Sequence, residues 1–271
     1  MTDLAKRMGT ALVLLAGVVG ALVLRETGIT GAPWVAFVAV AGGFAAWEWS
    51  GLSGLRRGLR PVYVAACALV AWGALSLAPP VPEAAFLVTL GLWGLALLRV
   101  AGVPFPAAAE KGFFGMLGLG AVPVAGLILV NHSGVFLWVL LAVVIVADTA
   151  AYGFGRRYGR TALAPDISPG KTRAGLVGAL LAVAGAGLLM AWGLDLPPMA
   201  WFYFVCLVLL TACFSVVGDL TVSLLKRRAN VKDSGRLLPG HGGVLDRVDG
   251  LLAAAPVYAL GIQVLQGVVP V

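Results

Sequence analysis

The polar segment from Asp219 to Asp249 holds most of the residues that could carry chemistry in this 271-residue chain. Asp219, Ser223 and Lys226 follow i, i+4 and i+7 spacing, which puts them on one face of a helix. Asp246 and Asp249 are three residues apart at the entry of the last apolar run and would also share a face. Carboxylates at the ends of membrane helices are costly unless something neutralises them. Mg²⁺ is the natural neutraliser, because it binds one or two carboxylates together with waters and substrate phosphates.

We therefore predict Asp219 and Asp246 as metal ligands, with Asp249 as a third candidate. The structural alternative is that these aspartates cap helices or pair with the nearby cations Arg227, Arg247 and Lys226. Three aspartates beside six lysines and arginines and a glycine-rich loop favour the metal interpretation.

The loop Pro239-Gly240-His241-Gly242-Gly243 lies between the two groups of aspartates. Glycine lets backbone N–H groups turn toward an anion without obstruction by a side chain. We expect His241 to donate to a phosphate or to a leaving pyrophosphate. His132 lies in a short loop without such neighbours, and we interpret it as a solvated side chain.

A second polar stretch closes the sixth apolar run, where Asp148, Tyr152 and Arg156 are four residues apart and form a ladder on one helix face. An acidic residue at the edge of a membrane span is a functional candidate by default. The alternative is a structural pair between Asp148 and Arg156.

The loop that follows contains Ser168-Pro169-Gly170-Lys171-Thr172, whose residue types suit phosphate binding at the start of the seventh span. It is not a P-loop, because Pro165 stands where that motif needs glycine. The sequence also predicts no strand ahead of it.

The composition indicates an all-α polytopic membrane protein, since 61% of residues are hydrophobic and only 11% are charged. We predict about nine transmembrane helices in one integral-membrane domain, residues 1–271, with N-terminal spans in about 1–100 and the catalytic part in about 101–271. The first two segments are short for a full crossing. The predicted spans are 9–24, 33–48, 61–78, 84–100, 112–130, 134–154, 174–193, 199–217 and 250–268.

The distribution of basic residues orients these spans. Of the 19 lysines and arginines, all except Arg25 fall on alternate loops. The positive-inside rule then predicts a cytoplasmic N-terminus and cytoplasmic polar loops. This pattern accounts for the net charge of +7 without a nucleic-acid partner.

A longer pattern contains the first group: Ser223-x-x-Lys226-Arg227-x4-Lys232-Asp233-x-Gly235-x-x-Leu238-Pro239-Gly240-His241-Gly242-Gly243-x-x-Asp246-Arg247-x-Asp249. It resembles the C-terminal signature of the phosphatidate cytidylyltransferase (CDP-diacylglycerol synthase) family. The stretches Asp148–Tyr152 and Ser168–Thr172 are also similar to that family. The chain departs from the family's common residues at Gly153, Arg173 and Ala174, which concerns fine substrate contacts rather than the reaction class.

The resemblance implies that CTP and phosphatidate react, with Mg²⁺, to give CDP-diacylglycerol and pyrophosphate. It implies an enzyme of the bacterial inner membrane, surrounded by membrane lipids, with its active site facing the cytoplasm, and we expect a homodimer. Asp148 and Asp249 could position a second cation. The implied catalytic residues are Asp219, Lys226, Arg227, Lys232, Asp233, His241, Asp246, Arg247 and Asp249, and the implied substrate-binding residues are Asp148, Tyr152, Ser168, Lys171, Thr172 and Ser223.

Two other functions compete with this interpretation. A CTP-dependent polyprenol-type lipid kinase would transfer the γ-phosphate and release CDP. A transporter would use Asp148 and Asp219 as ion sites, but transporters tend to gather polar groups near the membrane midplane in related halves. Here the charges gather at one interface and no related halves are evident.

Overall fold

The computed structural model describes residues 16–76, 81–131, 134–238 and 242–268. Nine helices occur in this described part of the chain, with a short 3₁₀ turn at Arg57–Leu59 and one small hairpin. The strands are β1 (Ala162–Ala164) and β2 (Ser168–Thr172). The helices are α1 (described from 16 to 26), α2 (Ala32–Leu52), α3 (Arg60–Ser76), α4 (Val81–Val100), α5 (Ala107–Asn131), α6 (Val135–Tyr158), α7 (Arg173–Gly193), α8 (Pro198–Arg228) and α9 (Leu245–Val268).

Six of the described helices are long and apolar enough to cross a membrane: α2, α5, α6, α7, α8 and α9. Helix α4 adds a shorter apolar stretch, Phe86–Val100. The chain is therefore an all-α integral membrane protein, as its composition predicts. The count of nine spans stays a prediction.

The largest difference from the predicted boundaries is in α8. The predicted span ends at residue 217, whereas the helix continues to Arg228. Asp219 therefore lies inside a helix together with Ser223 and Lys226, as their spacing predicts. The last helix begins at Leu245 and not at 250, so Asp246 lies in its first turn. Both helices include charged residues beyond the apolar run, and the helix period places these residues beside the partners that are described below.

The hairpin corrects a second prediction. Ser168–Thr172 is a strand, and a short strand does precede it, because β1 pairs antiparallel with β2 through Ala162 with Thr172 and Ala164 with Ser168. Ile167 is buried at the turn. The hydroxyl of Thr172 then accepts a hydrogen bond from the backbone N–H of Gly175 at 3.0 Å and caps α7.

The described residues belong to two compact units. The first comprises Met1–Pro82, Phe105–Gly134 and Leu225–Val248, and the second comprises Glu83–Pro104, Val135–Leu224 and Asp249–Val271. The prediction of one membrane domain stays a prediction.

In the first unit, α2, α3 and α5 pack against one another. The indole of Trp49 donates to the carbonyl of Phe114 at 2.8 Å, and the hydroxyl of Tyr63 donates to the carbonyl of Gly115 at 2.8 Å. Trp34 donates to Leu129 at 2.7 Å, near the C-terminal end of α5 where helix carbonyls lack partners. In an apolar surrounding these bonds fix three polar side chains to one helix backbone.

Gly118 makes this packing possible, because a Cβ at this position would collide with the Trp49 ring and the Tyr63 hydroxyl. We expect Gly118→Ala to lower the stability of the protein in detergent by about 1–3 kcal/mol through overpacking. Gly112→Ala in the same helix is the matched control, since nothing lies within 4 Å of its added Cβ. Thermal unfolding of the two variants checks this, and equal melting temperatures would contradict it.

In the second unit, α6 packs along α7 and the hairpin joins them. Glycines bring the two helices close, since a Cβ on Gly178 would overlap the ring of Phe154 and one on Gly175 would press on the carbonyl of Ala151. This contact fixes β2, and with it Lys171, relative to the end of α6.

Candidate active site

Five of the predicted site residues belong to two clusters of contacting side chains, one in each unit. The group in the first unit is named here the Asp246 cluster and consists of Asp246, Lys226, Ser234, Gly243 and Glu48. The group in the second unit is named the Asp219 cluster and consists of Asp219, Lys171 and Ser223.

Asp246 is the centre of its cluster. One carboxylate oxygen, Oδ1, accepts from the ammonium of Lys226 at 2.7 Å. The other, Oδ2, accepts from the backbone N–H of Ser234 at 2.8 Å and of Gly243 at 3.0 Å. The Asp246 side chain is 7% exposed and that of Lys226 is 15% exposed. The carboxylate thus holds both ends of the loop in place and balances a nearly buried lysine.

Glu48 of α2 was not among the predicted residues and comes from a distant part of the chain. Its Oε2 accepts from the Ser234 hydroxyl at 2.8 Å and from the Leu245 N–H at 2.8 Å, while Oε1 accepts from the Val244 N–H at 3.2 Å. The residue is 8% exposed. An acidic residue near the end of a predicted span was the available signal, because such residues are rare there and usually functional.

The loop between the two ends closes on itself. The N–H of Leu238 donates to the carbonyl of Gly242 at 3.0 Å, and Gly242 has a φ of +82°, a conformation that glycine adopts without strain. His241, together with Pro239 and Gly240, lies outside the described residues. Its predicted contact with phosphate therefore stays a prediction.

Cations surround this cluster in the first unit. Arg227, Lys232, Arg236 and Arg247 have exposed side chains, and Asp233 is exposed among them. Arg228 pairs instead with the buried Glu110. Exposed lysines and arginines on this segment suit a polyanion.

A cavity of about 590 Å³ lies in the same unit. It is bordered by the end of α2, by Arg60 and by the segment 229–237. The guanidinium of Arg60 lies 5.8 Å from the ring centre of Trp47. Among its lining residues, Asp233 is the one that belongs to the predicted site.

The Asp219 cluster brings together two residues from different predicted motifs. Lys171 of β2 forms an ion pair with Asp219 of α8, and the Ser223 hydroxyl donates to Asp219 Oδ1 at 3.3 Å, as the i, i+4 spacing predicts. The Lys171 side chain is 27% exposed and that of Asp219 is 32% exposed. This pair is therefore reachable from solvent, in contrast to the pair of Lys226 and Asp246.

Asp249 lies in the second unit at a close approach of α8 and α9. Gly218 permits that approach, because a Cβ there would collide with the carbonyl of Asp249. The Gly250 N–H donates to Asp249 Oδ1 at 2.8 Å. Gly250 of α9 likewise packs against Ser215 of α8. The glycines next to Asp219 and Asp249 thus let the two helices approach closely.

The predicted ladder at the end of α6 is present in part. Arg156 donates to the Tyr152 hydroxyl at 3.2 Å, and both residues are exposed, as is Asp148. Ser168 lies on β2 with Lys171, and Thr172 uses its hydroxyl for the helix cap.

The carboxylates differ in how well they fit Mg²⁺. Asp219 suits it best, because its carboxylate is one-third exposed and a cation could replace Lys171 as its partner. Asp246 can offer Oδ1 only by sharing it with Lys226, since Oδ2 already accepts two backbone bonds. Within the described residues no three His, Cys, Asp or Glu side chains form a ready metal cage, so waters and substrate phosphates would have to complete the coordination.

Comparison with known proteins gives a consistent result over the whole length. Residues 5–265 match the model of the cytidylyltransferase family. A phosphatidate cytidylyltransferase of Pseudomonas aeruginosa is 36% identical over 263 residues, covering 94% of this chain and 96% of that protein. A phosphatidate cytidylyltransferase of Brucella suis is 38% identical over 267 residues, covering 96% and 93%. A third, from Staphylococcus saprophyticus, is 41% identical over 131 residues, covering 48% and 49%.

Proposed function

The chain belongs to the cytidylyltransferase family, and we propose that it transfers the cytidylyl group of CTP to phosphatidate, giving CDP-diacylglycerol and pyrophosphate. The observation that carries this proposal is the match over nearly the full length to relatives named for that reaction. The site chemistry supports it, because both clusters pair a lysine with an aspartate and one lies among exposed cations.

The reaction needs charge neutralisation more than it needs a base. An oxygen of the phosphatidate phosphate attacks the α-phosphorus of CTP, and the bond from that phosphorus to the oxygen bridging to the β-phosphate breaks. The electron pair leaves on pyrophosphate. A phosphate monoester has a second pKa of about 6, so the nucleophile is largely ionised at neutral pH. Repulsion between the two polyanions is the main barrier, and fixed cations lower it.

In the first unit we assign the nucleotide phosphates to the loop held by Asp246. Lys226 stands beside it, and Arg227, Lys232 and Arg247 give the positive charge that a triphosphate and a leaving pyrophosphate require. Asp233 and His241 belong to the same segment and are proposed to orient the nucleotide.

In the second unit we assign the phosphatidate head group to β2. Lys171 is solvent-reachable and can exchange Asp219 for a phosphate, and Ser168 offers a hydroxyl on the same strand. Ser223, Asp148 and Tyr152 are proposed to contact this substrate or its counter-ions. Thr172 supports the strand indirectly through its cap on α7.

In the second unit, Mg²⁺ would be held by Asp219 and Asp249, and a second cation would involve Asp148. In the first unit, Asp246 is proposed as a metal ligand through the oxygen that it shares with Lys226. When bound, it would neutralise charge on the phosphates during transfer. The fit of Asp219 rests on its exposure and on an oxygen set that a hard cation prefers.

The cellular location and orientation are proposed from the distribution of basic residues and from the bacterial relatives. The chain is an integral membrane protein with bacterial relatives, so we propose the inner membrane, nine spans and cytoplasmic basic loops where CTP is available. A homodimer through faces rich in glycine and alanine is also proposed. Cysteine labelling of single-cysteine variants at Lys6 and Lys232, which should react from the same side, checks the orientation.

The test of the reaction uses CTP labelled at one phosphorus. Purified protein with phosphatidate and Mg²⁺ should move label from the α-phosphorus, but not from the γ-phosphorus, into the lipid fraction. Pyrophosphate should appear in equal amount. Transfer of γ-label to a polyprenol with release of CDP would instead establish the kinase, and the absence of both transfers would overturn the proposal.

A further inference from the structure

The side chain of Glu48 in α2 binds the loop that follows α8. Three hydrogen-bond donors point at its carboxylate: the Ser234 hydroxyl at one end of the loop and the N–H groups of Val244 and Leu245 at the other. The two N–H groups belong to the beginning of α9, where helix N–H groups lack partners within the helix. One carboxylate of α2 thus joins both ends of the loop.

The glycines of the loop are explained by the same carboxylate. A Cβ on Gly235 or on Gly243 would overlap the Glu48 side chain. Gly243 is buried and its φ is not in the left-handed region, so close approach and not backbone conformation requires glycine there. Gly243, which the sequence associates with an anion, and Gly235 therefore both make room for Glu48.

Ser234 connects Glu48 to Asp246. Its hydroxyl donates to Glu48 and its backbone N–H donates to Asp246 Oδ2 at 2.8 Å, which also accepts from Gly243. Loss of Glu48 would release the hydroxyl and the α9 N–H groups, and Asp246 alone would then hold the loop. Buried donors left without acceptors destabilise the arrangement that contains them.

We infer that Glu48 is a positioning residue for the nucleotide: it holds Ser234 and the segment 243–245 in the arrangement that binds the CTP phosphates. It acts through Ser234 and the start of α9 and does not touch substrate itself. This inference rests on the proposed function, because that assigns the loop to CTP.

The test separates the two substrates. Glu48→Gln keeps the size of the side chain, but its amide nitrogen cannot accept a bond, so at least one donor loses its partner. We expect the KM for CTP, and the Kd for CTP measured without phosphatidate, to rise about tenfold or more. The KM for phosphatidate should stay within twofold of the wild type.

Two further variants keep the result interpretable. Ser234→Ala removes one of the three donors and should give a smaller rise in the KM for CTP, and the double variant should show less than the combined effect of both. Glu110→Gln is the matched control, because Glu110 is equally buried and pairs with Arg228, which is not a residue of the loop. It should lower thermal stability without changing the KM for CTP.

The inference fails if Glu48→Gln leaves the KM and the Kd for CTP unchanged, or if it raises the KM for phosphatidate as much as the KM for CTP. It also fails if Glu110→Gln raises the KM for CTP to the same extent. Should Glu48→Gln not fold, Ser234→Ala decides the matter by the same constants. A wild-type protein that makes no CDP-diacylglycerol would instead contradict the proposed function, which separates the two failures.

Discussion

Asp246→Asn is expected to reduce CDP-diacylglycerol formation by about 1,000-fold. The change leaves Lys226, which is only 15% exposed, without its carboxylate partner. It also replaces an oxygen pair that accepts from Lys226, Ser234 and Gly243 with an amide that has only one acceptor. The substitution therefore removes the acceptor that holds the loop, the partner of Lys226 and a proposed metal ligand at once. Initial rates at saturating CTP and Mg²⁺, with purified protein in detergent, measure the effect.

A double variant separates the effect of the buried charge on stability from the effect of the missing groups on activity. Lys226→Met with Asp246→Asn removes the uncompensated buried charge and should recover thermal stability toward that of the wild type. Activity should stay as low as in the single variant, because the missing groups act on the substrate. Recovery of activity along with stability would show that Asp246 is only structural. Full activity in Asp246→Asn would remove it from the site altogether.

Asp219→Asn is expected to lower activity by about 100-fold to 1,000-fold and to raise the Mg²⁺ concentration needed for half-maximal rate. Asp219 and its partner Lys171 are about one-third exposed, so the fold should change little. Titration of the initial rate with Mg²⁺, beside a melting curve of each protein, measures both effects.

Lys171→Met and Asp166→Asn are the companions to this experiment. Lys171→Met breaks the same ion pair from the other side, but should raise the KM for phosphatidate and leave the Mg²⁺ dependence as it is. Asp166 is an exposed carboxylate at the turn of the same hairpin, and Asp166→Asn should behave as wild type. If Asp219→Asn and Lys171→Met gave one identical phenotype, the pair would be structural and the metal assignment would fail.

The apolar runs of the sequence predict the helices well because hydrophobic segments in a membrane must satisfy their backbone groups internally. The seventh predicted span, 174–193, corresponds to α7 at Arg173–Gly193. Hydropathy gives no signal where polar residues continue a helix, as from Asp219 to Arg228, although the spacing of Asp219, Ser223 and Lys226 does. The hairpin was missed for a related reason, because strands of three and five residues carry little periodic signal.

Motif spacing predicts which residues carry chemistry but not how they combine. The sequence selects Lys171 and Asp219 from stretches almost fifty residues apart, and only the fold makes them an ion pair. It selects Lys226 as a catalytic residue and Asp246 as a metal ligand, with an ion pair only as the alternative, and the fold makes them each other's partner. Side chains pair by distance in space, which the spacing of a single motif does not encode.

The sequence by itself determined the membrane class, the family resemblance and the residues from Asp219 to Asp249, because composition and motif are local properties of the chain. The tertiary structure decided the role of Glu48, which lies far from that segment in sequence yet accepts three hydrogen bonds from it. It also decided why Gly235 and Gly243 are glycines, since the space they leave is filled by a side chain of another helix. Long-range packing sets both, and nothing in the local pattern around either site specifies it.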